Sequence, residues 1–477
     1  MNPGELLVGP FNRVEGDLEV RLEIADGQVQ AAYANSPLFR GFEQMLLGKA
    51  PEDALTITPR ICGICSISQS AAAARALASA AGASPAPQGA LVAALLHGVE
   101  NVCDHLTHFN LFFMADFARP AYSERVWHDR AVTRFTAMQG SAVRRAVEAR
   151  AELLHIVGLL GGKWPHTLAI QPGGVTRAPT ARDRIRIRAD LASFRRYLEE
   201  VLFGAPIESF VGLGSTAELM HWNTGDAGLF VEIATDLDLA RLGPGPGRYV
   251  SYGAYPMETG HAFAQGVWRD GSVDPLDTSD IAEDISHAWM LGETAHPNVG
   301  QTVPDEDMNE PGYSWCKAPR LAGAPIETGA FARQLIDGHP LAADLAQGNG
   351  GVLARVAGRL LEIARTQVLL EGWAEAIRPE EKFMAGVNLP RAGSGEGLVE
   401  AARGALGHWV RIEGGRIAAY QIIAPTTWNF SPRDMAGTPG PLEAALAGAP
   451  VREGEDTPLS VQHIVRSFDP CMVCTVH

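Results

Sequence analysis

The residues of this chain best suited to chemistry are two Cys-x-x-Cys pairs, Cys62–Cys65 near the start and Cys471–Cys474 near the end. That spacing lets two thiolates converge on one centre from a tight turn or the first turn of a helix. Residues 66–470 separate the pairs, so only folding brings them together. Thiolates are soft donors, and four of them meeting from two ends of a chain point to a transition-metal centre. Two other readings stand on spacing alone: redox-active pairs, and cysteines that simply fill core. A zinc ribbon sets its pairs about 15–20 residues apart, which counts against that motif. A thioredoxin-like pair belongs in a βαβ setting, which neither stretch shows.

The rest of the composition bounds what such a centre can serve. The chain has 477 residues, enough on length alone for two to four domains, with 46% hydrophobic and 20% charged residues. That balance describes a globular protein with a large core. No apolar run reaches the roughly 20 residues that span a membrane. Met1–Glu5 carry no basic or apolar region of a secretory signal, and six cysteines in so long a chain make no disulfide framework. Both features predict a reducing cytoplasm. A net charge of −16 argues against a nucleic-acid partner.

Several elements must position the cysteines. Residues 18–33 alternate around Asp26-Gly27, a hairpin signature, just after the polar cluster Arg13–Asp17. Ser70 to Ala81 is alanine-rich and reads as a helix following Cys65. Residues 90–114 carry an apolar stripe (Leu91, Leu95, Gly98, Val102, Leu106, Phe109, Phe113) and a second stripe, Asp104, His108 and Phe112, roughly opposite. Such a helix is buried on both sides, which makes it central. Further helices are predicted at about 127–160, 180–203 and 352–377, the second of them opened by the capping box Thr180-x-x-Asp183. Gly161–His166 lacks the spacing of a phosphate loop, and Gly243–Gly247 is turn chemistry. Residues 392–398 read as a Gly/Ser-rich loop, and Trp409–Ile423 as a hairpin around Gly414-Gly415. A Pro/Gly-rich segment, 432–458, leads to the second cysteine pair. By residue type alone, Glu15, Glu43 and Arg320 are surface charges, and Asp104 and His108 the polar side of a helix. Cys103 and Cys316 read as small core residues. With no repeat or linker, the predicted fold class is α+β and predominantly helical. Residues 1–477 would form one large domain, a central helix bundle with peripheral β-hairpins, its terminal segments joined at a metal site.

With these pieces placed, the chain resembles the large subunit of a nickel–iron hydrogenase nearly end to end. The resemblance rests on Arg13–Gly16, Arg40–Glu43, Arg60–Cys65, His105-x-x-His108-Phe109, Gly161-Gly162-Lys163-x-Pro165-His166, Lys317–Arg320, Pro425–Asn429 and Asp469-Pro470-Cys471-x-x-Cys474-x-x-His477, in the family's order. It implies that Cys62 and Cys471 are terminal nickel ligands and that Cys65 and Cys474 bridge nickel to an iron carrying one carbon monoxide and two cyanides. It implies a magnesium ion near the C-terminus held by Glu43, His477 and the carbonyl of Ile422. Heterolytic cleavage of hydrogen leaves a proton that needs a base, for which the resemblance offers Cys471 and then Glu15. Arg320 would lie over the open metal face with Asp104 and Asp469 as partners. Pro319 and Thr426 would line the diatomic ligands, with Thr426 hydrogen-bonding a cyanide.

The chain also departs from the family's usual pattern. Gln69 stands where His is usual, Asp17 and Arg466 where His is frequent, Ile64 where Val is common and Phe112 where Leu is common. Energy-conserving members carry a C-terminal peptide that a protease removes, and this sequence stops at His477, as a processed form also would. Gln69, Ile64, Phe112 and the missing extension resemble the hydrogen-sensing branch. The expectation is therefore a cytoplasmic hydrogen sensor of low turnover that signals to a histidine kinase. It would pair with an iron–sulfur small subunit, which holds all the iron–sulfur clusters, and assemble as a dimer of heterodimers. The alternatives are an energy-conserving uptake hydrogenase and a respiratory-complex relative that has lost its metal. Ile64 and Phe112 would narrow the gas path.

Overall fold

The computed structural model describes residues 4–348 and 350–477; Met1–Pro3, part of the stretch without a signal pattern, lie outside the described residues. The chain opens as an antiparallel sheet, β1 (Glu5–Val8), β2 (Glu19–Ala25) and β3 (Gln28–Asn35), in that order. Asp26 and Gly27 both take positive φ (53° and 70°), as the hairpin turn between β2 and β3 requires.

Helix α1 (Ser66–Ala80) follows directly on Cys65 and starts four residues before the predicted Ser70. Its neighbour α2 (Pro87–Thr107), opened by a proline in its first turn, is the central helix. The predicted helix over 90–114 is not uniform. A π-helical turn covers His108–Phe113 and a 3-10 turn Met114–Ala118. The wider turn rotates the helix face, so the second stripe splits: Asp104 and His108 are buried while Phe112 is half-buried. The helix predicted at about 127–160 is two, His128–Phe135 and α3 (Ser141–Gly161). Between them Gly140 passes so close to the backbone that a Cβ would stand 2.2 Å from the carbonyl oxygen of Arg134. Helix α4 (Ala181–Tyr197) has the predicted capping box, with the Asp183 amide donating to Thr180 Oγ1 at 3.1 Å and the Thr180 amide to Asp183 Oδ2 at 2.9 Å. A π turn extends it to Leu202.

Next come the antiparallel pair β4 (Tyr249–Pro256) and β5 (His261–Arg269), then β6 (Ile281–Asp284) paired with β7 (Ala318–Leu321). The 25-residue helix α5 (Val352–Ala376) packs on α2. The predicted loop at 392–398 is instead strand β8 (Gly393–Ala401), which pairs with β9 (Gly404–Glu413); β9 in turn pairs with β10 (Arg416–Ile423). The glycines that suggested a loop serve close approach. A Cβ on Gly395 would stand 2.2 Å from the Ala76 oxygen, and one on Gly397 1.9 Å from the Ala72 oxygen. Glycines on the strand thus meet alanines on α1, and the helix lies directly on the sheet. The chain ends with α6 (Pro425–Asn429), α7 (Leu459–Phe468) and the single turn α8 (Met472–Thr475).

One apolar cluster takes in residues from Val8 to Cys474, with α1, α2, α3, α4 and α5 at its centre. Among the described residues, no helix is long and apolar enough to cross a membrane.

Candidate metal centre

Two chain ends meet at the cysteines. Residue 15 pairs with residue 471 in an isolated parallel bridge. The Glu15 amide donates to the Pro470 carbonyl at 3.3 Å, and the Met472 amide to the Glu15 carbonyl at 2.7 Å. The first pair is presented by the turn that starts α1, the second by the turn that starts α8.

The four thiols are buried, unpaired as disulfides, and in contact. Cys62 Sγ lies 3.5 Å from Cys471 Sγ, Cys65 Sγ 3.3 Å from Cys474 Sγ, and Cys471 Sγ 3.1 Å from Cys474 Sγ. These distances far exceed a disulfide bond of about 2.05 Å. They approach the separation of roughly 3.7 Å between thiolates bound at about 2.3 Å around a tetrahedral ion. Without a cation the cluster can hold little negative charge. Hydrogen bonds from Cys471, Cys474 and Cys65 pull the Cys62 thiol well down, while the other three are pushed up: Cys65 chiefly by its contact with Cys471, Cys471 and Cys474 chiefly by burial. Four soft donors converging in a dry site fit a transition-metal centre.

The guanidinium beside the thiols is not Arg320. Arg403, on the buried turn between β8 and β9, donates to Asp104 Oδ2 at 2.7 Å, to Asp469 Oδ1 at 3.1 Å and to the Asp469 carbonyl at 2.8 Å. The negative charge of Asp104 and Asp469, then of Cys471 and Cys62, holds it protonated against burial. Arg320, expected in this role, is buried on β7 and bonds Asp434, Ser431 and the carbonyls of Pro432 and Thr438. It secures the 431–438 segment. Pro319 stays with it on the same strand, opposite Glu283. Missing strand β8 hid Arg403; the signal that was available is Arg-Gly following the alternating run to Ala401.

The two carboxyls on Arg403 separate in acidity. Burial pushes Asp104 up to about 7, whereas Arg403, His108 and Arg359 outweigh burial and hold Asp469 below its ordinary range. Asp104 Oδ1 and Asp469 Oδ2 remain buried without a hydrogen-bond partner among the described residues. Glu15 is half-buried, and burial and the Cys62 charge raise its pKa. Thr426, in the first turn of α6, accepts from the Cys471 amide at 3.1 Å, which leaves its own hydroxyl hydrogen to donate.

Glu43, Ile422 and His477 converge, and the surface reading of Glu43 is wrong: it is buried. His477 Nε2 is 2.7 Å from the Ile422 carbonyl and 3.5 Å from Glu43 Oε1, which also accepts from the Ile422 amide at 2.7 Å. Both ring nitrogens of His477 face carbonyls, the second being Cys474 at 2.9 Å, and Glu43 raises its pKa against burial. Neighbouring ligands of an octahedral ion at about 2.1 Å stand roughly 3 Å apart, so the trio suits a hard cation that replaces the Nε2 proton. Burial opposes ionisation of Glu43, yet Lys317, His477 and Thr302 hold it at about 2. Lys317 Nζ, missed from sequence, bonds Glu283 Oε2 at 2.9 Å and Gln421 Oε1 at 2.7 Å beside this trio.

Among the residues that depart from the usual pattern, Gln69 Oε1 meets His408 Nε2 at 2.8 Å, and His408 Nδ1 meets the Tyr420 hydroxyl at 2.8 Å. Ile64 is half-buried against the main core. Arg466 bonds Asp116 Oδ2 at 2.6 Å and Asn12 Oδ1 at 2.7 Å, tying α7 to the N-terminal segment. Cys103 and Cys316 are buried away from the cluster's sulfur contacts, with thiols that burial raises to about 12 in Cys103 and above that in Cys316.

Comparison with known proteins agrees with this geometry. A family profile described as nickel-dependent hydrogenase matches residues 40–122 and 121–477. The chain is 29% identical to the periplasmic [NiFeSe] hydrogenase large subunit of Desulfomicrobium baculatum, over 99% of this chain and 95% of that one. It is 26% identical to the uptake hydrogenase large subunit of Afipia carboxidovorans, over 99% and 94%. The reduced Ni-Fe-Se hydrogenase structure from D. vulgaris Hildenborough superposes with a TM-score of 0.86 at 27% identity, covering 99% of each chain.

Proposed function

The chain belongs to the nickel-dependent hydrogenase family, as the catalytic large subunit of a [NiFe] hydrogenase, and on that premise we propose that it serves a cytoplasmic hydrogen sensor. It is a hydrogen oxidoreductase, and large subunits of this kind pair with a small subunit. The observation that carries the reading is the contact of four buried thiols beside an arginine held by two aspartates.

Cys62, Cys65, Cys471 and Cys474 would hold the nickel–iron centre. When bound, that centre supplies the Lewis acidity and redox capacity for splitting hydrogen heterolytically. Sγ of Cys471 takes the proton and the carboxylate of Glu15, raised toward neutrality, receives it next. Arg403 keeps a fixed positive charge over the thiols, oriented by Asp104 and Asp469. The hydroxyl of Thr426, which accepts from the Cys471 amide, would be free to donate to a diatomic ligand. Glu43, Ile422 and His477 would hold magnesium, which neutralises the buried carboxylate behind Cys474.

Gln69, Ile64 and Phe112 support sensing over energy conservation. In this reading the whole chain is one domain, a partner small subunit carries all iron–sulfur clusters, two such heterodimers associate, and a histidine kinase receives the signal. The second reading, an energy-conserving uptake hydrogenase, is favoured by the likeness to named uptake enzymes. An infrared spectrum of the purified complex should show carbonyl and cyanide bands, and Cys471→Ala should lose nickel and the bands together; full nickel in that variant sinks the ligand assignment. Glu15→Gln should slow hydrogen–deuterium exchange by orders of magnitude with the bands unmoved, and wild-type exchange would remove Glu15 from the proton path. Low turnover with hydrogen-dependent kinase phosphorylation supports the sensor. High turnover with no effect on a kinase would return the chain to the uptake class.

A further inference from the structure

Among the described residues, the buried arginines have carboxylate, carbonyl or amide partners, whereas the half-buried Arg75 has none. Arg333, Arg355 and Arg403 each grip carboxylates, Arg359 bonds two carbonyls of the 467–468 turn, and Arg466 bonds Asp116 and Asn12. Arg75, in the third turn of α1, makes no hydrogen bond or ion pair among the described residues. Its Nη1 is nonetheless shielded from solvent. Burial lowers its pKa and no neighbouring carboxylate offsets that. A half-buried guanidinium with one nitrogen shielded and unpaired is costly, and its retention calls for an anion.

The guanidinium lines a cavity of 510 Å³ between α1, α2, β4, β5 and β8. Such a volume lies within the range of about 300–1,000 Å³ typical of small-ligand pockets. Its walls are mostly small and apolar, including Ala74, Ala78, Pro85, Ala90, Ala94 and Leu398. The polar lining includes His97, His261, Tyr252, Gln171 and Gln265. His97 is buried and held neutral, its pKa near 3, and bonds Ser68 Oγ at 3.0 Å; burial also lowers His261. Glu396, the carboxylate in the lining, accepts from the Trp409 indole at 3.1 Å. The cavity therefore offers one positive charge, one carboxylate engaged by the Trp409 indole, neutral donors and apolar walls.

We propose that this cavity binds a small organic monoanion, a carboxylate on an apolar body, with Arg75 as its counter-ion. One guanidinium neutralises one charge, so a phosphate dianion would leave a negative charge unpaired in an apolar pocket beside Glu396. The alanine and proline walls add affinity for a hydrocarbon body that acetate lacks. The occupant would sit on the helix that presents Cys65. It would touch the first turn of that helix through His97 and Ser68, whose amide and hydroxyl bond Glu100.

The test uses the purified complex with its small subunit and three probes, benzoate, acetate and inorganic phosphate, in calorimetric titration. Benzoate should bind saturably, acetate at least tenfold more weakly and phosphate not at all. Arg75→Met should weaken benzoate at least tenfold. The same variant without ligand should unfold at a temperature no lower than the parent's, because it removes an uncompensated, half-buried charge. Equal benzoate binding by the variant, or no saturable binding by the parent, overturns the proposal. So does a variant that loses its small subunit on purification, since the counter-ion would then be a carboxylate of the partner.

Discussion

Arg403 presents a planar fork to Asp104, Asp469 and the Asp469 carbonyl, and an ammonium cannot make three such bonds in fixed directions. Arg403→Lys should therefore lower hydrogen oxidation per nickel by at least tenfold, whereas Arg320→Lys should cost stability yet leave activity per nickel unchanged. Assay of both variants after nickel determination decides between them; the reverse order would restore Arg320 to the centre. The convergence of the cysteines with Thr426, and of Glu43 with Ile422 and His477, was legible through the family resemblance. Arg403 was not, because its environment exists only once β8 and β9 have paired, and Lys317-Ala318-Pro319-Arg320 offered a more conspicuous arginine. Ile64 and Phe112 raise a question of bulk. Packed interiors have few voids larger than water, so a methylene or ring on a gas path slows oxygen more than hydrogen. Ile64→Val with Phe112→Leu should make the enzyme lose activity under oxygen while the parent keeps it, at a stability cost of about 0.5–1.5 kcal/mol for the first change. Equal survival of the two would place oxygen tolerance elsewhere.

The contact of α1 with β8 is the element-scale device that locates Cys65, since α1 follows directly on it and lies flat only because Gly395 and Gly397 lack side chains. Gly397→Ala would put a Cβ 1.9 Å from the Ala72 oxygen, so helix and strand must part. Overpacking of this sort costs roughly 1–3 kcal/mol, and the movement should also lower nickel content. Gly372→Ala, in open space on α5, should instead stabilise by about 0.5–1 kcal/mol. Denaturant midpoints and metal analysis of the pair give the comparison; equal midpoints would refute the close-contact account. Periodicity made the hairpins, α4 with its capping box, and α5 readable within a few residues. It could not show the π turn at 108–113, where an extra residue per turn breaks the stripe, or tell a glycine that bends a loop from one that admits a helix.

Over the whole molecule, buried polar groups set the response to pH. Burial, and then Arg333 for His97 and Arg359 for His108, holds both imidazoles near 3. The unfolded chain takes up these protons near 6.5, so between about 3 and 6.5 the folded state binds fewer at these two sites and their contribution to stability falls as pH falls. Each histidine contributes about 1.4 kcal/mol per pH unit well below 6.5, together roughly 3. His97→Gln should remove that residue's share alone, so in unfolding measured from pH 7.5 to 5.5 the stability of the parent minus that of the variant should fall by about 1.4 kcal/mol per pH unit as pH is lowered below 6.5; a difference that does not change with pH would mean His97 is protonated in the fold. The meeting of distant ends at the thiols was legible from the two cysteine pairs, while the bridge of Glu15 to Cys471 that closes it was not, since backbone pairing leaves no mark in residue type. That closure also has a duration. Cys62 and Cys471 are 409 residues apart, and synthesis at about 5–20 residues per second separates them by roughly 20–80 s. For that interval Cys62 and Cys65 stand as a lone dithiol whose two partners have not been made. No shorter fragment from the N-terminal side can hold the centre, however well it folds, so loading belongs to the period after the second pair has left the ribosome.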